Sequence, residues 1–202
     1  MESKTHWELV HGENYATDVS WYQESPAVSL RLVERAGGPE VRVLDVGCGQ
    51  SGLAGPLVQR GYRHVTALDI SREAIERARQ RLGLDADKVE WVEADVLDLE
   101  APEPFDLWHD RAVLHFFLGG PERRRYVESL RRNLVPGGRA IIATFAPDGP
   151  QTCSGLPVRR HGADDLSDLL GPDFDLIDAE HEVHRTPWGK PQAFQWTLFQ
   201  RR

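Results

Sequence analysis

Residues 43–54, VLDVGCGQSGLA, set an acid and three glycines where one ligand could meet them all. Val43, Leu44 and Val46 flank Asp45 in the pattern of a buried parallel strand. Gly47 and Gly49 then break the strand, and Gly52-Leu53-Ala54 opens a helical pattern. Strand, glycine loop and helix in that order form the mononucleotide-binding half of a Rossmann-like fold. Lacking a Cβ, the glycines let the backbone turn sharply and come close to a ligand. Gly47, Gly49 and Gly52 also satisfy G-x-G-x-x-G, and Asp69 ends the next apolar run (VTALD) twenty positions beyond Gly49. An acid at about that offset is expected to bind a ribose. The spacing alone leaves NAD and other adenine-ribose ligands open.

Asp45 tips the balance. A carboxylate just under the loop repels a pyrophosphate. It suits a ligand that is cationic there, such as the α-ammonium of S-adenosylmethionine. Asp95 ends a third apolar run and Asp110 a fourth. In a parallel sheet these strand ends share one rim, so Asp45, Asp69, Asp95 and Asp110 are expected to ring one crevice. Four acids match a sulfonium and an ammonium better than a diphosphate.

Other side chains could act on a second substrate. His115, in the apolar stretch AVLHFF, reads equally as a base and as a core histidine. Cys153, in the polar turn TCSG, is a possible nucleophile, although an ordinary thiol is the favoured reading because no second cysteine is near. Trp21 and Tyr22 could wall a sulfonium by cation–π attraction or simply pack in the core. Arg111, His184 and Trp188 are further substrate-side candidates. Arg159, Arg160, His161 and Arg185 could meet an anion or be solvated surface. Cys48 reads as a small loop filler that touches the cofactor. The histidines lack HxxxH or HExxH spacing, so no metal site is expected.

The elements that must position these groups alternate along the chain. Strand and helix patterns run Val41–Val46, Leu53–Arg60, His64–Asp69, Arg72–Leu82, Val89–Glu93, Phe105–His109, Ala112–Leu118, Glu122–Leu134 and Arg139–Phe145. Such alternation predicts an α/β fold with a parallel sheet. Upstream, residues 5–24 read as a short helix and an aromatic turn over the ligand edge. Pro26 then opens a helix closed by Gly37-Gly38. Ser71 is an N-cap, but Ala74 stands where a capping box needs Glu. Downstream of Phe145 come a turn-rich insertion, a helix (Ala163–Leu170) and two strands (Phe174–His184 and Ala193–Gln200).

At 202 residues the chain reads as a single domain: residues 1–24 a cover, 25–145 the cofactor-binding core, 146–202 a substrate-side segment. Net charge of −8 argues against nucleic acid as partner. Arg123-Arg124-Arg125 and Arg131-Arg132 read as a solvated helix face. No apolar run is long enough to span a membrane, MESKTHWE is too polar for a signal peptide, and two cysteines make no disulfide framework. A cytoplasmic location is expected.

Five blocks in order carry a family resemblance: VLDVGCG, ALDIS, EADVLDL, FDLWHDRAVLHFF and LVPGGRAIIATF. Over roughly residues 25–145 the chain resembles the class I S-adenosylmethionine-dependent methyltransferases, and its flanks look like those of a small bacterial single-domain subfamily. The resemblance implies a Rossmann-like, seven-stranded, mostly parallel sheet with an antiparallel C-terminal hairpin and helices on both faces. It implies that Gly47 and Gly49 admit the methionine end and that Asp45 holds its ammonium directly or through water. Asp69 would accept both ribose hydroxyls, Ile70 pack on adenine, Asp95 and the Val96 N–H bond the base, and the strand end at Asp110 offer a carbonyl to the ammonium. S-adenosyl-L-methionine is the expected cofactor, S-adenosyl-L-homocysteine its product, and a small molecule the expected methyl acceptor, with a weak lean to a thiol or other chalcogen. A protein lysine methyltransferase and a non-catalytic NAD-type module are the competing readings.

Overall fold

The computed structural model describes residues 2–50 and 52–202. In chain order its main elements are α1 (Glu2–Glu13), α2 (Ala27–Ala36), β1 (Arg42–Val46), α3 (Ala54–Gln59), β2 (His64–Asp69), α4 (Arg72–Leu82), β3 (Val89–Glu93), β4 (Phe105–Arg111), α5 (Gly120–Asn133) and β5 (Leu134–Phe145). The small strands β6 (Thr152–Cys153) and β7 (Leu156–Pro157), helix α6 (Ala163–Leu170), and strands β8 (Phe174–Arg185) and β9 (Pro191–Arg201) complete the order.

Seven strands form one sheet in the order β3-β2-β1-β4-β5-β9-β8, with β6 and β7 as a separate pair. The first five run parallel, and β9 is antiparallel to both β5 and β8. Strand order reverses between β1 and β4, so their carboxyl ends frame the crevice where open α/β sheets bind ligands. This is the expected seven-stranded fold with its C-terminal hairpin. Leu32, Val33, Leu57 and Ile75 from α2, α3 and α4 pack on one sheet face. Val127, Leu130, Leu166 and Leu170 from α5 and α6 pack on the other.

Two expectations fail locally. The segment 112–118 is not a helix: it holds one 3₁₀ turn, Leu114–Phe116. Asp110 takes the backbone N–H groups of Val113 at 2.8 Å and Leu114 at 3.1 Å. Ala112 sits at φ 75°, a region that L-residues enter only when surroundings hold them there. The apolar run is thus a tight wall at the strand end. The N-terminal helix, expected to be short, spans twelve residues. It is tethered by Glu8, whose carboxylate accepts from Ser71 Oγ and from the backbone N–H groups of Arg72 and Glu73 at 2.9–3.0 Å. Glu8 therefore caps the α4 start from a distance, where Ala74 offers no carboxylate, while Ser71 Oγ accepts from Ala74 N–H at 3.1 Å.

Candidate active site

The glycine loop turns because Gly47 and Gly49 have φ of 62° and 54°. A Cβ on Gly47 would lie 2.1 Å from Val113 Cγ2, so the loop also needs glycine to pass the strand-four wall. Gly49 N–H donates to Asp69 Oδ2 at 2.7 Å, and Ser71 N–H donates to Asp69 Oδ1 at 2.8 Å. One carboxylate thus ties the first loop to the second. Burial pushes the Asp69 pKa up to about 6, against the pull of those two N–H groups.

Two cavities open at this rim. The larger, about 520 Å³, is lined by Asp69, Ile70, Asp95 and Val96, at and after the ends of β2 and β3, and by Phe116, Cys153, Leu156 and Pro157, from the turn after β4 and the β6–β7 pair. Its volume is that of a small-molecule site. The smaller, about 100 Å³, lies over β1 and is lined by Asp45, Gly47, Cys48, Tyr22, Arg81 and His109, among others. Trp21, His11, Gly47 and Arg111 belong to both walls. Gly49 lines the larger cavity, beneath His11.

The four acids do not form one ring. Asp69 and Asp95 face the larger cavity and Asp45 the smaller. Asp45 Oδ1 lies 2.8 Å from His109 Nδ1, whose Nε2 lies 3.0 Å from Ser29 Oγ, all buried. Asp95 also caps the turn after β3 by accepting Leu97 N–H at 2.9 Å. The Asp110 carboxylate lines neither cavity: it is fully buried and bonded to Tyr126 Oη at 2.6 Å as well as to the two loop N–H groups. Burial raises its pKa to about 6. It is a loop lock, because its side chain turns toward α5 and away from the crevice.

The two catalytic candidates are both silenced by burial. His115 is fully buried between Phe116 and Phe145, lines neither cavity, and has its pKa pushed down to about 3. Cys153 does line the larger cavity, on the β6–β7 hairpin and not in an open polar turn. Burial raises its thiol to about 12, which keeps it protonated at neutral pH. His161, also buried, has its pKa lowered to about 4. His184 spends Nε2 on the Ser20 carbonyl at 2.8 Å, pinning the segment before Trp21 to β8. Trp188 stands 54% exposed on the β8–β9 turn, outside both cavities. Arg159, Arg160 and Arg185 are exposed.

Three wall residues were not singled out from sequence. His11, from α1, is buried over Gly49 with its pKa lowered to about 4 by burial. Trp7, one helical turn before it, packs edge-on to Phe116 at 5.0 Å and to Trp21 at 6.2 Å. Their i, i+4 spacing puts them on one face of α1 and was the available signal. Arg81, near the end of α4, donates to the Gln50 carbonyl at 3.2 Å and needed the fold to bring it there.

Comparisons with known proteins bear on the family and the fold. A family profile described as Methyltransferase domain matches residues 43–138. The demethylmenaquinone methyltransferase of Clavibacter sepedonicus is 38% identical over 133 residues, 65% of this chain and 49% of that protein. The chain spans about half the length of the curated relatives it matches. A solved structure described as conversion of a disulfide bond into a thioacetal group during echinomycin biosynthesis superimposes with a TM-score of 0.79. It is 26% identical, over 98% of this chain and 92% of that one. The N-methyltransferase NodS from Bradyrhizobium japonicum WM9, in complex with S-adenosyl-L-homocysteine, gives a TM-score of 0.74 at 19% identity, over 97% and 98% of the chains.

Proposed function

We propose that this chain, which belongs to the class I S-adenosylmethionine-dependent methyltransferases, moves a methyl group to a small-molecule nucleophile. The carrying observation is the larger cavity, which is lined both by Asp69 and Asp95 and by Phe116, Cys153 and Leu156. The first group has the acceptors a nucleoside needs, and the second leaves room for a second reactant.

The donor set fits S-adenosylmethionine. Asp69 and Asp95 offer carboxylates to the ribose and adenine, and Ile70 offers an apolar face. Asp45 with Arg81 supplies counter-charges for an amino-acid end over β1. When bound, the cofactor would supply a methyl group on a positively charged sulfur, and that sulfur would itself be the leaving group, departing as the neutral thioether. The chain's own work is alignment, an effect worth up to about 7–11 kcal/mol in favourable intramolecular models. Trp7, Trp21 and Phe116 exclude water around the reacting centre.

We favour a thiol or other chalcogen acceptor. Neither His115 nor Cys153 can take a proton near neutral pH, which suits a nucleophile that arrives ionised. The thioacetal chemistry named for the 26% identical neighbour points the same way. The test is incubation with methyl-labelled cofactor and a panel of sulfide, small thiols, amines and phenols. Labelled thioethers are expected. Turnover of amines alone would end the chalcogen reading, and label confined to protein bands of a lysate would replace the small-molecule one.

A further inference from the structure

We propose that Arg111 reads a carboxylate group on the methyl acceptor, so that the substrates of this site are small carboxylic acids. The inference rests on the methyltransferase reading and deepens it.

Arg111 is the last residue of β4 and lines both cavities. Its guanidinium is fixed on two sides. Nη1 donates to the Trp21 carbonyl at 3.0 Å, and Cζ lies over the Phe194 ring, 4.8 Å from its centre. Nε and Nη2, the two nitrogens of one bidentate edge, are shut off from solvent and have no hydrogen-bond partner among the described residues. A planar fork held in place with that edge unspent matches one group best, the two oxygens of a carboxylate. Leaving the edge unpaired costs stability, and a ligand that pairs with it recovers the loss.

Two carboxylates, those of Asp45 and Glu182, act on Arg111, and both are engaged elsewhere: Asp45 Oδ1 lies 2.8 Å from His109 Nδ1. Glu182, whose charge acts on Arg111, already accepts from Trp196 Nε1 at 2.7 Å and from Gln23 Nε2 at 3.4 Å. The Cys153 thiol is uncharged at neutral pH. Burial lowers the Arg111 pKa only to about 10, so the cation persists.

Position separates the acceptor from the cofactor. Asp69 ends β2 and Arg111 ends β4, with β1 between them. Two strand spacings, roughly 10 Å, separate the ribose acid from the guanidinium. Arg111 instead neighbours Phe194 of β9 and the β6–β7 hairpin that carries Cys153, while Arg81 remains over β1 for the cofactor's own carboxylate. Reaching the edge requires the Trp21 side of the wall to yield, and Nη1 is one of that segment's tethers.

The test uses full-length protein saturated with S-adenosylhomocysteine and two matched pairs: 3-mercaptopropionate with its methyl ester, and 4-hydroxybenzoate with its methyl ester. Calorimetry reads binding without any need for turnover. At least one acid is expected to bind about 10- to 100-fold tighter than its ester, as a charge-assisted fork implies. Arg111→Gln should erase that preference while S-adenosylhomocysteine still binds, which also shows that the variant folds. Arg111→Lys should restore only part of it. Equal binding of acid and ester by the parent protein, or no binding of either pair, overturns the proposal. It is equally overturned if Arg111→Gln loses S-adenosylhomocysteine but keeps 5′-methylthioadenosine, because Arg111 would then hold the cofactor's carboxylate. Failure of the parent protein to bind S-adenosylhomocysteine at all would instead sink the methyltransferase reading.

Discussion

Asp69 carries two duties that a single residue type hides. In the proposed function it meets a ribose, and in the fold it fastens Gly49 and Ser71. Asp69→Ala is therefore expected to weaken S-adenosylhomocysteine binding by at least about 10-fold in calorimetry and to lower stability by roughly 1–3 kcal/mol. Unchanged affinity would refute the ribose assignment. Asp110 shows the opposite outcome. The sequence put it at a strand end beside the others, but its orientation depended on Tyr126, sixteen residues on, and no local pattern encodes that partner. Tyr126→Phe strips one bond from Asp110 and orphans Trp108 Nε1, which donates to the same hydroxyl at 3.1 Å. A loss of roughly 1–3 kcal/mol in denaturant unfolding should follow. Titration sets acids against histidines. Asp69 and Asp110, raised from 3.8 to about 6, make the fold less stable as pH climbs through that window. His11, His115 and His161, lowered from 6.5 to about 4, 3 and 4, stay neutral in the fold while the unfolded chain takes up protons. They destabilise it as pH falls below 6.5. Three displaced histidines outweigh two displaced acids, so the thermal midpoint should be lower at pH 4.5 than at pH 7. A midpoint that rises on acidification would contradict the neutral buried imidazoles.

At the scale of elements, the sheet was legible because its strands read as short apolar runs ending in Asp or Gly. The observed bounds of β2, α4 and β3 are those expected from the pattern. Ala112–Leu118 misled because an apolar run without Gly or Pro reads as helix, while the two N–H bonds from Asp110 and the positive φ of Ala112 bend it into a wall. The docking of α1 was invisible for another reason: Glu8 lies more than sixty residues before the α4 start that it caps. Glu8→Gln replaces a carboxylate at three donors and should cost about 1 kcal/mol. Backbone amides of α1 should then exchange several-fold faster, with α5 unaffected. Uniform acceleration across both helices would mean that α1 is not a separately opening cover.

For the whole molecule, the residues that line the larger cavity come from distant parts of the chain: His11 and Trp21 from the first segment, Asp69 and Asp95 from the core, Cys153 and Leu156 from the last. The motif blocks exposed the core contribution, since the glycine loop and the strand-end acids keep fixed local spacing. The flanking contributions had no such spacing, and only the closed fold brings them to one wall. This division explains why the core part of the lining was legible in the sequence and the flanking part was not. The central claim is that an acid-lined crevice over β1 and β2 takes a sulfur-linked adenosine carrying an amino-acid tail and refuses a diphosphate one. Calorimetric titration of the purified chain with S-adenosylhomocysteine and, separately, with NADH tests it most directly. Saturable one-to-one binding of the first and no detectable heat from the second is the predicted result. Binding of NADH with none of S-adenosylhomocysteine would contradict it.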